Sequence, residues 1–119
     1  MRPRELARRG EAAAADFLER RGHTIIERNW SCKAGEVDLI SLDANVVVFV
    51  EVKTRATGAC GSPEEAVDIR KQEQIRSLAE RYLASAGLTD VDVRFDVVAI
   101  HYLGDDRALL RHHRDAFRA

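Results

Sequence analysis

Two hydrophobic periods succeed one another along the chain, and each switch between them marks an element. In the first twenty residues the period is helical, with Ala7, Ala14 and Leu18 on one stripe. The strong helix formers of "EAAAADFLERRG" support a helix from about Arg4 to Arg21, ended by Gly22, the residue type that best tolerates a left-handed turn. Glu11 falls in the middle of that stripe. A carboxylate there needs a partner or a function. From His23 the pattern changes: "HTIIERNW" reads as a strand, "SCKAG" as a turn, and "GEVDLISLDANVVVFVEVKT" as a hairpin whose arms flank Asp43-Ala44-Asn45.

A two-residue turn at Ala44-Asn45, or a four-residue loop about the same centre, gives one register, which sets Asp38 opposite Glu51 and Glu36 opposite Lys53. A three-residue loop would send Asp38 and Glu51 to opposite faces. In the first register two carboxylates face each other across about 5 Å, which costs stability unless positive charge sits between them.

Beyond the hairpin, "RATGACGS" has the composition of a connecting loop. Ser62, Pro63 and Glu65 form a helix-start signal, with Asp68 as the start of a second helix after a short break. Ile75, Leu78, Ala79, Tyr82, Leu83 and Ala86 keep helical spacing up to Gly87, and the stripe extrapolates back to Lys71 and Gln72. "DVRFDVVAIHYL" returns to strand alternation, and "RALLRHHRDAFRA" receives no firm assignment. The order of helix, three strands, helix and one or two strands predicts an α/β fold, a mixed sheet flanked by helices.

Length and composition suit a single domain over residues 1–119: 45% of residues are hydrophobic and 33% charged. The longest apolar run, Val46–Val50, is far too short to span a bilayer, and the Arg-rich start lacks a signal-peptide core, so the expected location is cytoplasmic. Cys32 and Cys60 form no CxxC pair, which makes reduced thiols the expectation. The net charge of −1 conceals an acidic middle, with seven acidic against three basic side chains in residues 31–68. A polyanionic partner would need that charge neutralised by metal cations or flanking Arg and Lys.

The third strand concentrates the chemistry. Val47, Phe49, Glu51 and Lys53 share one face of "VVVFVEVKTR", so a rigid hydrophobic strand delivers an acid and a base at its exit, about 7 Å apart. Asp38 and Glu51, with the Val52 carbonyl, offer hard oxygen ligands of the kind Mg²⁺ prefers, Mn²⁺ being able to substitute. Such a site suits phosphodiester hydrolysis. Lys53 then orients or deprotonates a water, or stabilises the transition state as a fixed cation. Glu11 would add a third carboxylate. Acid-x-Lys alone is uninformative; its position at the exit of a doubly buried strand, opposite an Asp and beneath a helical Glu, carries the weight.

"GEVDLI", "VVFVEVKTR", "RKQ" and "RFDVVAI", preceded by "RRGEAAAADFLERRG" and "RNW", closely resemble the YraN family of small uncharacterised bacterial proteins over nearly the whole chain. That family looks like a compact member of the PD-(D/E)xK nuclease superfamily, the restriction-endonuclease-like fold that includes archaeal Holliday-junction resolvases. The resemblance implies a four-stranded mixed core sheet. It also implies an acidic pair at Asp38 and Glu51, a catalytic lysine at Lys53 and a first-helix acid at Glu11. Val37 stands where the superfamily loosely keeps a Pro, and no Tyr follows Gln72 or Gln74 at the spacing of related exonucleases.

The expected function is a metal-dependent endonuclease acting on DNA, branched or structured DNA by analogy with the resolvases, with Arg55, Lys71 and Gln72 contacting phosphate and a two-fold homodimer cutting both strands. The alternatives are a nucleic-acid-binding or assembly module without turnover, and a purely structural interaction protein. His23, His101, His112 and His113 are expected at the surface or in the tail, and Arg94 with Asp96 as a structural pair.

Overall fold

The computed structural model describes residues 2–56 and 67–118. Helix α1 (Pro3–Arg20) leads into strands β1 (Thr24–Cys32), β2 (Gly35–Asp43) and β3 (Val46–Arg55); helix α2 (Ile69–Ala86) precedes β4 (Asp92–Gly104) and β5 (Arg107–Phe117). The strands form one sheet in sequence order, antiparallel except for the parallel β3–β4 pair. The tail that the sequence leaves unassigned is the fifth strand. Ser62, Pro63, Glu65 and Cys60 lie outside the described residues; α2 starts at the later of the two expected places, where the Asp68 side chain accepts a hydrogen bond from Lys71 N. It ends, as expected, at Gly87 in the left-handed region. Among the described residues no helix is long and apolar enough to cross a membrane.

The sheet separates two cores. On one face α1 places Ala14, Ala15 and Leu18 against Leu39, Val48, Val50, Val98 and Ile100. On the other, Ile75, Leu78, Ala79 and Tyr82 of α2 cover Val37, Ile40, Val47, Phe49, Phe95, Val97 and Phe117. Phe49, Phe95 and Phe117 stack across three strands, with centroids 5.8 and 5.0 Å apart.

The apolar stripe of α1 is displaced from the expected one. Ala7 is exposed, and burial begins at Gly10, where a Cβ would overlap the Thr54 side chain. Strand β3 ends one residue beyond Thr54, so the turn of α1 that carries Ala7 overhangs it. The absence of a side chain at Gly10 lets the helix lie close on the end of β3. Its neighbour Glu11, half-buried, is thereby held at the strand's exit.

The expected hairpin register is present, with a two-residue turn at Ala44-Asn45 and pairs from Asp43↔Val46 to Leu39↔Val50. The ladder stops there. Asp38↔Glu51 and Glu36↔Lys53 do not form, because the alternation of β2 changes phase at Asp38: Val37 joins the α2 core whereas Leu39, two residues on, joins the α1 core. Asn29, between the β1 residues paired with Leu39 and Val37, has a positive φ of 51°.

Two histidines differ from expectation. His23 is buried and His112 half-buried, with its side chain 7% exposed, beside the hairpin turn in a polar network on the α1 face. Arg94 bridges Asp96 (2.9 and 3.0 Å) and Asp43 (2.9 Å); His112 Nε2 lies 2.7 Å from Asp96, which also accepts from Asp115 N at 3.0 Å. His23 Nδ1 is 2.9 Å from Ser41 Oγ, and burial lowers the pKa of its ring. These residues are legible in the sequence as polar but not as enclosed: the strand that carries His112 onto His23 and Asp96, β5, is the unassigned one.

Candidate metal centre

At the end of the sheet opposite the hairpin turn, four acids converge from three elements. Oxygens of Glu11 (α1), Glu36 and Asp38 (both β2) lie within 4.8 Å of one another. Glu51, on β3, stands beside them with 5% of its surface exposed, and its charge raises the pKa of both Asp38 and Glu11. The β2 phase change at Asp38 is what turns this strand's acids toward α1. Asn29 completes the cluster: with its amide nitrogen toward the carboxylates it donates to Glu36 Oε1 at 2.8 Å and Glu11 Oε2 at 2.6 Å.

Electrostatics divides the cluster. Glu51 Oε1 has two cationic neighbours, Lys53 Nζ at 3.2 Å and Lys71 Nζ at 3.6 Å. Asp38 has a weaker supply of positive charge. Desolvation and the Glu51 charge push its carboxyl up to about 7, although Val52 N donates to its Oδ2 at 2.8 Å and Lys53 acts in the opposite direction. Glu11 is raised as well, by desolvation first and then by Glu36 and Glu51. Like charges held this close by a rigid sheet favour a cation among them, since hard oxygen donors are what Mg²⁺ and Mn²⁺ accept.

The structure thus brings together Glu11, Asp38, Glu51 and Lys53, and places Lys71 with them. Val52 joins through its amide N–H, whereas the sequence had pointed to its carbonyl. Gln72 turns elsewhere, donating to Val67 O at 3.3 Å and accepting from Arg76 at 3.4 Å. Arg55 continues the Glu51–Lys53 face, and its Nε is buried with no hydrogen-bond partner among the described residues. Glu36 was missed as a member of the acidic cluster; its spacing of two from Asp38 on a strand was the available signal. Gly10 was missed too, its only mark being a small residue just before the helical acid.

A family model described as "Uncharacterised protein family UPF0102" matches residues 10–100. A UPF0102 protein of Geobacter sulfurreducens is 47% identical over 109 residues, covering 92% of this chain and 85% of its own. One of Rhodococcus jostii is 46% identical over 112 residues, covering 94% and 95%. One of Caldanaerobacter subterraneus is 45% identical over 101 residues, covering 85% and 82%. The matched span contains Glu11, Glu36, Asp38, Glu51, Lys53 and Lys71.

Proposed function

Since the chain belongs to the uncharacterised protein family UPF0102, whose name assigns no activity, we propose from the centre itself that it is a metal-dependent nuclease hydrolysing phosphodiester bonds in DNA. The observation that carries this reading is the convergence of Glu11, Glu36 and Asp38 oxygens within 4.8 Å, beside a buried Glu51 and its lysines. Asp38, Glu36, Glu11 and Glu51 are the residues that would hold Mg²⁺ or Mn²⁺. When bound there, such an ion supplies an acidified water and neutralises charge on the phosphate.

The chain's own groups do the rest. Lys53, 3.2 Å from Glu51, holds its ammonium group at the strand's exit, where a substrate phosphate needs neutralisation. Cross-strand pairing extends that cationic face: Lys53 is level with Ala99 and Arg111, and Arg55 with His101. Side chains paired across a sheet point the same way, so these residues flank the acids as a track for a phosphate backbone. Structured DNA, whose strands part from regular stacking, would fit a centre at a sheet end better than a uniform duplex.

One observation favours a second reading, a nucleic-acid-binding module without turnover: the charge of Glu51 is already balanced by Lys53 and Lys71. Incubation with branched and linear DNA in Mg²⁺ and Mn²⁺ separates the two. We expect cleavage, reduced by about 10²–10³-fold in Lys53→Ala. Salt-sensitive binding without product in either metal would select the second reading.

A further inference from the structure

We propose that the cavity beside the acidic centre, between α2 and β5, is a subsite for one unstacked nucleobase, taken from the nucleotide next to the scissile phosphate. This rests on the nuclease reading and deepens it. The cavity has a volume of about 340 Å³ and is lined by Val67, Gln72, Val97, His113, Arg114, Ala116 and Phe117. That is near the lower end of the range for small-molecule sites, roughly 300–1,000 Å³.

Its position follows from register. Glu51, Val97 and His113 are mutually paired across β3, β4 and β5, so they form one row on the α2 face. Two strand spacings separate the ends of that row, about 10 Å. Gln72 approaches from above, next in sequence to Lys71, whose Nζ is 3.6 Å from Glu51. The cavity is therefore the immediate neighbour of Glu51, on the α2 face of the sheet.

A bulge opens it. Between Phe95↔Phe117 and Val97↔His113, three β5 residues (Arg114, Asp115 and Ala116) oppose the single residue Asp96, and Asp115 has a φ of 52°. Asp96, buried on the opposite face, holds this bulge through Asp115 N. Bulges of this kind redirect side chains and interrupt packing, and here the interruption leaves a hollow rather than a filled core.

The lining matches a base. Val97, Val67, Ala116 and the edge of Phe117, whose ring stacks on Phe95 and lies under Arg76, supply an apolar floor, whereas Gln72 supplies the polar group for the base edge; Arg114, at the rim, is paired with Asp43 at 3.6 Å. Gln72 can both donate and accept, and its present bonds, at 3.3 and 3.4 Å, are long enough to exchange readily for a ligand's. An unstacked base requires a strand free of regular pairing at that point. The subsite thus selects frayed, branched or single-stranded DNA.

The test is a set of phosphorothioate-linked single-stranded oligonucleotides, each with 2-aminopurine at one position, bound to the full chain in Mn²⁺. Emission should rise at one position as that base leaves the stack. Ala116→Trp, which fills the cavity, and Gln72→Leu, which alters only its helical rim, should each abolish that rise and weaken binding about 5-fold or more. Binding by the wild type with no position responding, or an unchanged response in both variants, would overturn the subsite and leave the nuclease reading standing. Failure of the wild type to bind any oligonucleotide, in protein that does bind Mn²⁺, would remove both.

Discussion

Asp38→Asn is expected to abolish metal-dependent cleavage and, at pH 8 without metal, to raise the stability of the protein. The two effects have one cause. Asp38 is held among acids at a cost, its carboxyl pushed up to about 7 by desolvation and by Glu51. An acid whose folded pKa is raised contributes stability that is fully present below its unfolded pKa, near 4, and is lost as pH climbs through the folded value. Each unit of difference is worth about 1.4 kcal/mol, so the loss by pH 8 is on the order of 2–4 kcal/mol. The substituted amide carries no charge yet still offers an oxygen to Val52 N. The variant's melting temperature at pH 8 should therefore exceed the wild type's by roughly 10 °C, a gap that closes toward pH 4. Saturating Mn²⁺ should narrow it at pH 8, because the ion stabilises only the chain that binds it. Thermal melts across pH 4–8 measure this directly; a variant less stable than the wild type at pH 8 would show that Asp38 is a structural group rather than a strained one.

Asp96→Ala should produce the largest loss of stability. Asp96 has no exposed surface, and burial alone would raise its pKa, yet bonds from His112, Arg94 and Asp115 N hold the carboxyl well below the usual range. Removing it leaves Arg94, whose side chain is 11% exposed, with Asp43 alone, takes the carboxylate from His112, and releases the β5 bulge. Breaking a buried pair by deleting one partner costs about 3–5 kcal/mol, enough to unfold a marginal domain near physiological temperature. A urea titration reads the midpoint. Replacing both partners, as Arg94→Met with Asp96→Leu, should cost less, since no fully buried charge is left unpaired and Asp43, partly exposed, keeps Arg114. The pH signature is opposite to that of Asp38: a depressed acid gives stability present above its unfolded pKa and lost as pH falls through the folded one. A midpoint unmoved by Asp96→Ala would contradict the network's role.

The contrast between these residues explains how much the sequence disclosed. Period and turn chemistry revealed the hairpin, its register, the α2 stripe and the exit of β3, because each depends on neighbours close in sequence. Glu11, Asp38, Glu51 and Lys53 were found for the same reason, as charges out of place in apolar patterns. What stayed hidden depends on contacts remote in sequence. The phase change at Asp38 shifts two acids toward α1 and is signalled by no glycine or proline in β2 beyond Gly35. His23 and His112, eighty-nine positions apart, are brought together by β5, which carries His112 and is a strand rich in Arg and His whose own sequence resembles a tail. Glu36 was visible as an acid but was assigned to Lys53 by a ladder that stops earlier. Gly10 acquires meaning only once Thr54 lies beneath it.

Calorimetric titration of Mn²⁺ into the wild type, Asp38→Asn and Glu51→Gln at pH 8, with circular dichroism confirming each fold, bears most directly on the acidic centre. Binding by the wild type, lost in both variants and weakened for the wild type as pH falls below about 7 and protons compete at Asp38, is the predicted result. Equal binding by all three chains, or none by the wild type even with oligonucleotide present, would contradict the assignment of these carboxylates to a metal.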